Sequence, residues 1–90
     1  YRVDRCMIGA SGVTQDGITE AVRGFAAVKR AMLAGSETSH LLIDSGKFGR
    51  RGLSQVGSLS ALSSVVTDRA PEGGLADALA TGGVGLEIAR

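Results

Sequence analysis

The run Leu41-Leu42-Ile43-Asp44-Ser45-Gly46-Lys47-Phe48-Gly49 constrains the fold of this chain more than any other stretch. Its apolar residues stop at a carboxylate and pass directly into small residues carrying a lysine, which predicts a buried strand feeding an anion-binding loop. In open α/β sheets, ligands settle in the crevice beyond the carboxyl ends of the strands, where loops converge with backbone N–H groups and side chains pointing outward. Lys47 is then a charge placed at a binding site.

The surrounding pattern supplies the sheet. Val3 to Ile8 reads as a strand ending at Gly9, and Gly9, Gly12 and Gly17 mark a long loop after it. Thr19 is a candidate N-cap, with Glu20 in the first turn where the helix dipole favours a carboxylate and Gly35 as the C-terminal stop. Between them Ala21, Phe25, Val28 and Met32 recur at three- and four-residue spacing, widened by Val22 and Leu33, and predict an amphipathic helix. A second strand over His40–Asp44 and a short third over Leu53–Val56 follow. Ser64–Thr67, rich in β-branched residues, predicts a further strand, closing at Asp68 and Pro71. Gly74–Thr81 reads as a short helix broken by Gly82-Gly83, and Val84–Ile88 as the last strand. Strands alternating with helices predict a three-layer α/β fold with a mostly parallel, Rossmann-like sheet joined by right-handed crossovers. There is no internal repeat, and the Ser-rich stretch from Ser54 to Ser64 is too apolar for a disordered linker.

Composition removes several functions. Ten Lys and Arg against nine Asp and Glu leave a net charge of +1, which is not the basic stripe that nucleic-acid binding by counterion release requires. A single cysteine, Cys6, excludes an internal disulfide framework and agrees with a reducing compartment. No apolar run approaches the roughly 20 residues that span a bilayer, so the expectation is a soluble cytoplasmic domain with no membrane partner. At 90 residues the core is thin. The chain opens on Tyr1 and enters a strand almost at once, which reads as part of a longer protein, with part of one domain missing.

Generic chemical motifs fail. A phosphate-binding P-loop needs glycine where Leu41 stands and Ser or Thr where Phe48 stands; Gly9, Gly12 and Gly17 lack the dinucleotide spacing. One Cys and one His, far apart, cannot close a zinc site, so no metal and no cofactor is expected. No serine lies in a nucleophile elbow, and no catalytic residue is assigned.

Taken in order, Ile8-Gly9-Ala10-Ser11-Gly12, Gly17-Ile18-Thr19, Val28-Lys29-Arg30-Ala31-Met32, Asp44-Ser45-Gly46-Lys47-Phe48-Gly49 and Val66-Thr67-Asp68 resemble the second half of the effector-sensing domain of DeoR-family transcriptional regulators. The resemblance runs, in order, over about three quarters of the chain. The resemblance implies a sugar-phosphate isomerase and CoA-transferase-like fold, residues 1–90 forming the C-terminal portion of the sensor. It implies a phosphorylated sugar or related anionic metabolite as effector, and DNA contacted only through a helix-turn-helix domain not present in these residues. It also implies self-association, a homo-oligomer. The residues it marks for the effector are Ser11, Gly12, Gly17, Lys29, Asp44, Gly46 and Lys47. Two positions depart from the family pattern. Ser11 stands where family members usually carry Asp, and Gly46 where Ser or His usually precedes the lysine. A proton shuttle between sugar carbons needs a positioned base, and no carboxylate occurs from Gly9 to Gln15.

Each of these residues also has a structural reading. Asp44 can cap its own loop by accepting backbone N–H bonds, and Gly9, Gly12 and Gly17 are most simply turn residues, although close backbone approach to a ligand uses the same property. Lys29 either snorkels from the core edge or reaches the crevice. Arg50-Arg51 reads as a solvated pair, Cys6 as a buried small hydrophobe, and His40 as structural or exposed. Phe25 and Phe48 read as core and loop-anchoring residues. The alternatives to a regulator's sensor are a fragment of a sugar-phosphate isomerase or deaminase, and a module whose main task is self-association.

Overall fold

The computed structural model describes residues 3–89, in an α/β arrangement with two sheets. The larger sheet contains β1 (Val3–Ile8), β4 (Ser36–Leu42), β6 (Ser64–Thr67) and β7 (Gly85–Ile88), all parallel and in the order β1-β4-β6-β7. The smaller is antiparallel and contains β2 (Gly12–Thr14), β3 (Gly17–Glu20) and β5 (Ser54–Gly57). Two helices, α1 (Arg23–Ala34) and α2 (Gly73–Thr81), follow β3 and β6.

Strand order explains where the layers lie. The chain adds each parallel strand on the same side of the previous one, and right-handed crossovers then carry every connection over one face of the sheet. Burial follows that geometry: Cys6, Ile8, Ser39, Leu41, Val65 and Thr67 point into the core, where Val13, Ile18, Ala26, Val56, Leu75 and Leu79 meet them. The alternate residues line the opposite face. Met7, His40 and Ser64 stand side by side there, His40 Nδ1 lying 2.6 Å from Ser64 Oγ, and Met7 is 55% exposed. Among the described residues, then, the sheet is covered on one face only.

Several elements differ from the sequence reading. The glycine-marked loop is a β2-β3 hairpin. Gly17, at φ +135°, begins β3 opposite Thr14, and a Cβ there would stand 2.4 Å from the Gly57 carbonyl oxygen. Thr19 and Glu20 belong to β3 rather than to the helix: Thr19 Oγ1 accepts from the Gly52 N–H at 2.7 Å, and β5 pairs alongside. The helix starts at Arg23 behind Val22, which offers no side-chain cap. The third strand is shifted to Ser54–Gly57 and runs antiparallel in the second sheet, with Leu53 93% exposed just before it. The apolar stripe of α1 is the largest correction. Ala26 is its buried residue, whereas Val22, Phe25 and Val28 are about half exposed and Met32 more than a third, so Phe25 is not a core residue here. Helical periodicity identifies an apolar face but not what covers it. Phe48 is half-buried and packs against the core, and Cys6 is buried as expected.

Candidate functional site

At the carboxyl ends of β1 and β4 the chain forms a crevice of about 440 Å³. Gly9-Ala10-Ser11 leave β1 on one side, Ile43, Asp44 and Lys47 leave β4 on the other, and Glu20, Val22, Phe25 and Lys29 close it from the end of β3 and the first turns of α1.

Glu20 is the hub. Its side chain is 7% exposed, and one carboxylate oxygen accepts from the Ser11 hydroxyl, from the Ala21 N–H at 2.8 Å and from the Val22 N–H at 3.4 Å. The other is paired with the Lys29 ammonium. The Lys29 hydrogen bond, followed by that of Ser11, holds the Glu20 carboxyl at a pKa of about 2 against the opposing effect of burial. The Ser11 oxygen also accepts from the Ala21 N–H at 3.0 Å. Lys29 therefore lies at the crevice with its ammonium fixed.

The opposite wall is a loop held by two carboxylates. Asp44 Oδ1 accepts from the Gly46 N–H at 2.9 Å, the capping role open to it from sequence, and its Oδ2 lies 3.8 Å from Lys47 Nζ. Asp68, at the end of β6, accepts from the Ser45 N–H at 2.6 Å and from the Ser45 hydroxyl at 3.0 Å. Those two bonds lower the Asp68 pKa, the backbone bond having the larger effect. The Lys47 side chain is 41% exposed and only loosely paired, so most of its hydrogen-bonding capacity faces outward.

Of the residues marked from sequence, Ser11, Lys29, Asp44 and Lys47 meet in this crevice. Gly12, Gly17 and Gly46 do not line it. Gly12 lies against the chain at Arg50, where a Cβ would stand 2.2 Å from the carbonyl oxygen, and Gly17 serves the hairpin. The Gly46 amide is engaged with Asp44. Sequence reasoning missed Glu20 as a crevice residue, because its partner lies nine positions away across a strand-to-helix junction and no single periodicity connects them. Across the Asp44–Phe48 loop is a second depression of about 610 Å³, which includes Ser45, Arg51, Arg69 and Glu72. Arg50 and Arg51 are both exposed, as expected of a solvated pair, and Arg51 is also ion-paired there with Asp16.

A parallel sheet, a lysine-bearing loop beyond β4 and a polar crevice at the strand ends describe an α/β domain with a candidate site at its strand ends. The chain belongs to the DeoR C-terminal sensor domain family, whose model matches residues 1–69. It is 34% identical to the HTH-type transcriptional repressor GlcR of Bacillus subtilis (strain 168), over 98% of this chain and 34% of that protein. It is 32% identical to the glycerol-3-phosphate regulon repressor of Escherichia coli (strain K12), over 98% of this chain and 35% of that protein. It is 38% identical to the L-fucose operon activator of Haemophilus influenzae, over 70% of this chain and 26% of that protein. The chain thus spans about a third of the length of the relatives it matches over nearly its whole extent.

Proposed function

We propose that residues 1–90 are the C-terminal portion of the effector-sensing domain of a cytoplasmic transcriptional regulator of carbohydrate metabolism. The effector is a phosphorylated sugar or a related anionic metabolite. It binds at the carboxyl ends of β1 and β4, and DNA is contacted by a helix-turn-helix domain outside these residues. The observation that carries this reading is the convergence of Ser11, Glu20, Lys29, Asp44 and Lys47 on one crevice at the place where open α/β sheets bind ligands. The names of the relatives support it: one is an HTH-type transcriptional repressor, one a glycerol-3-phosphate regulon repressor and one an L-fucose operon activator.

The remainder of the sensor supplies the third layer and completes a sugar-phosphate isomerase-like fold. The open face of the larger sheet supports this, as does an apolar groove of about 630 Å³ between α1 and the edge of β1, with Cys6, Met7, Val28, Ala31 and Met32 in its walls. An enzymatic reading is weaker. A general base works best with a pKa near the operating pH, whereas Glu20 sits near 2 with donors on both oxygens.

Calorimetric titration of sugar phosphates into the protein carrying this chain tests the proposal. Binding of at least one is expected. Lys47→Ala is expected to cost about 1.5–3 kcal/mol of that affinity, the range for hydrogen bonds to charged groups, with little change in stability because the lysine is exposed. No binding by any sugar phosphate, or unchanged affinity in the variant, would defeat it.

A further inference from the structure

Glu20 adds a feature that the lysine-bearing loop does not explain. The crevice contains two ammonium groups, Lys29 and Lys47, and two carboxylates, Glu20 and Asp44, so its own charge is balanced. The pairs are unequal. Lys29 and Glu20 are largely buried and joined directly, whereas Lys47 and Asp44 lie 3.8 Å apart with much of both side chains in solvent. One lysine is therefore neutralised in place and the other is left available.

We propose that Glu20 is the specificity-determining residue of the crevice: by neutralising Lys29 and fixing the Ser11 hydroxyl, it makes this wall a reader of sugar hydroxyls and leaves the anionic group of the effector to Lys47. The inference rests on the effector reading above and assigns the two ends of the ligand. The hydrogen-bond inventory supports it. An ammonium has three donors and Lys29 uses one on Glu20; a hydroxyl oxygen has two acceptor sites and Ser11 uses one on the Ala21 N–H. The Glu20 oxygen that faces Lys29 also retains acceptor capacity. Donors and acceptors side by side match a hydroxyl, which offers both. A phosphate group offers mainly acceptors, and the Glu20 charge repels it.

The test compares inorganic phosphate with a sugar phosphate on the full protein carrying this chain. Glu20→Gln preserves shape and removes the charge. It is expected to bind inorganic phosphate about tenfold more tightly than wild type, the scale of one like charge removed from a partly solvated site, and to bind the sugar phosphate more weakly. Ser11→Ala is expected to weaken the sugar phosphate alone. Equal shifts for both probes in Glu20→Gln would mean that Glu20 merely holds β3 to α1, and would overturn the proposal. If Glu20→Gln does not fold, Lys29→Met serves: the uncompensated carboxylate is expected to weaken inorganic phosphate, and the sugar phosphate more so because it also loses the Lys29 donors, and unchanged affinity for inorganic phosphate overturns the proposal. Failure of every sugar phosphate to bind wild type counts against the effector reading instead, and the inorganic-phosphate comparison between wild type and Glu20→Gln still decides the charge claim.

Discussion

Protonation of Glu20 will unfasten the crevice, and the loss can be read as stability. The group's carboxyl falls from an ordinary 4.5 to about 2 in the folded protein, chiefly through Lys29 and then Ser11. Because the folded value is the lower one, the stabilisation is fully present above pH 4.5 and is lost as pH falls through about 2. That fall, at roughly 1.36 kcal/mol for each pH unit, corresponds to about 3 kcal/mol. The Lys29 side chain is 20% exposed, and water competes for its ammonium, so about 2 kcal/mol is the fairer expectation. Urea unfolding of wild type and Glu20→Gln in steps from pH 6 to pH 3 isolates the effect, since all other carboxylates are common to both. The wild-type advantage is expected to stay level from pH 6 to about 4.5 and to shrink from there to pH 3. An advantage that stays constant with pH would refute the claim that this ionised carboxylate holds β3, Ser11 and α1 together.

Other perturbations have equally definite outcomes. Gly12→Ala drives a Cβ to within 2.2 Å of the Arg50 carbonyl oxygen, and a loss of about 1–3 kcal/mol is expected in chemical denaturation, the cost of overpacking where backbone must shift. Gly24→Ala serves as the control, because nothing lies within 4 Å of a Cβ there and replacing a helical glycine is expected to stabilise by up to about 1 kcal/mol. Expressed alone, residues 1–90 are expected to self-associate through the exposed Phe25, Val28 and Met32 of α1, so that Phe25→Ser with Met32→Ser lowers the sedimenting mass. A strictly monomeric wild-type chain would remove the reason for assigning that face to a partner layer.

Parts of this fold were legible because local chemistry determines them. The β1 range and the C-terminal stop of α1 at Gly35 follow from apolar runs and glycine placement. The Asp44–Lys47 loop was equally legible, since a strand ending in Asp before small residues can cap its own turn. The β2-β3 hairpin was not, because its strands are three and four residues long and its identity depends on pairing with β5, far along the chain. Thr19 and Glu20 have the composition of a helix start, but Thr19 is buried by tertiary pairing and Glu20 caps the junction from the strand side. The apolar stripe of α1 was visible and its exposure was not, since helical periodicity marks an apolar face without fixing what, if anything, packs on it. Four of the seven marked residues meet in the crevice; the three glycines left out serve the backbone, a role that looks the same in sequence as close approach to a ligand.

A crystal structure of the protein carrying this chain, grown with a sugar phosphate that binds it, tests the central claim most directly. The account predicts ligand density between Ser11 and Lys47, with the phosphate on the Lys47 ammonium and sugar hydroxyls on Ser11 and Lys29. Density instead in the depression beside Arg51 and Arg69, or on the open face of the sheet around His40 and Ser64, with the crevice at the ends of β1 and β4 left to water, would contradict it.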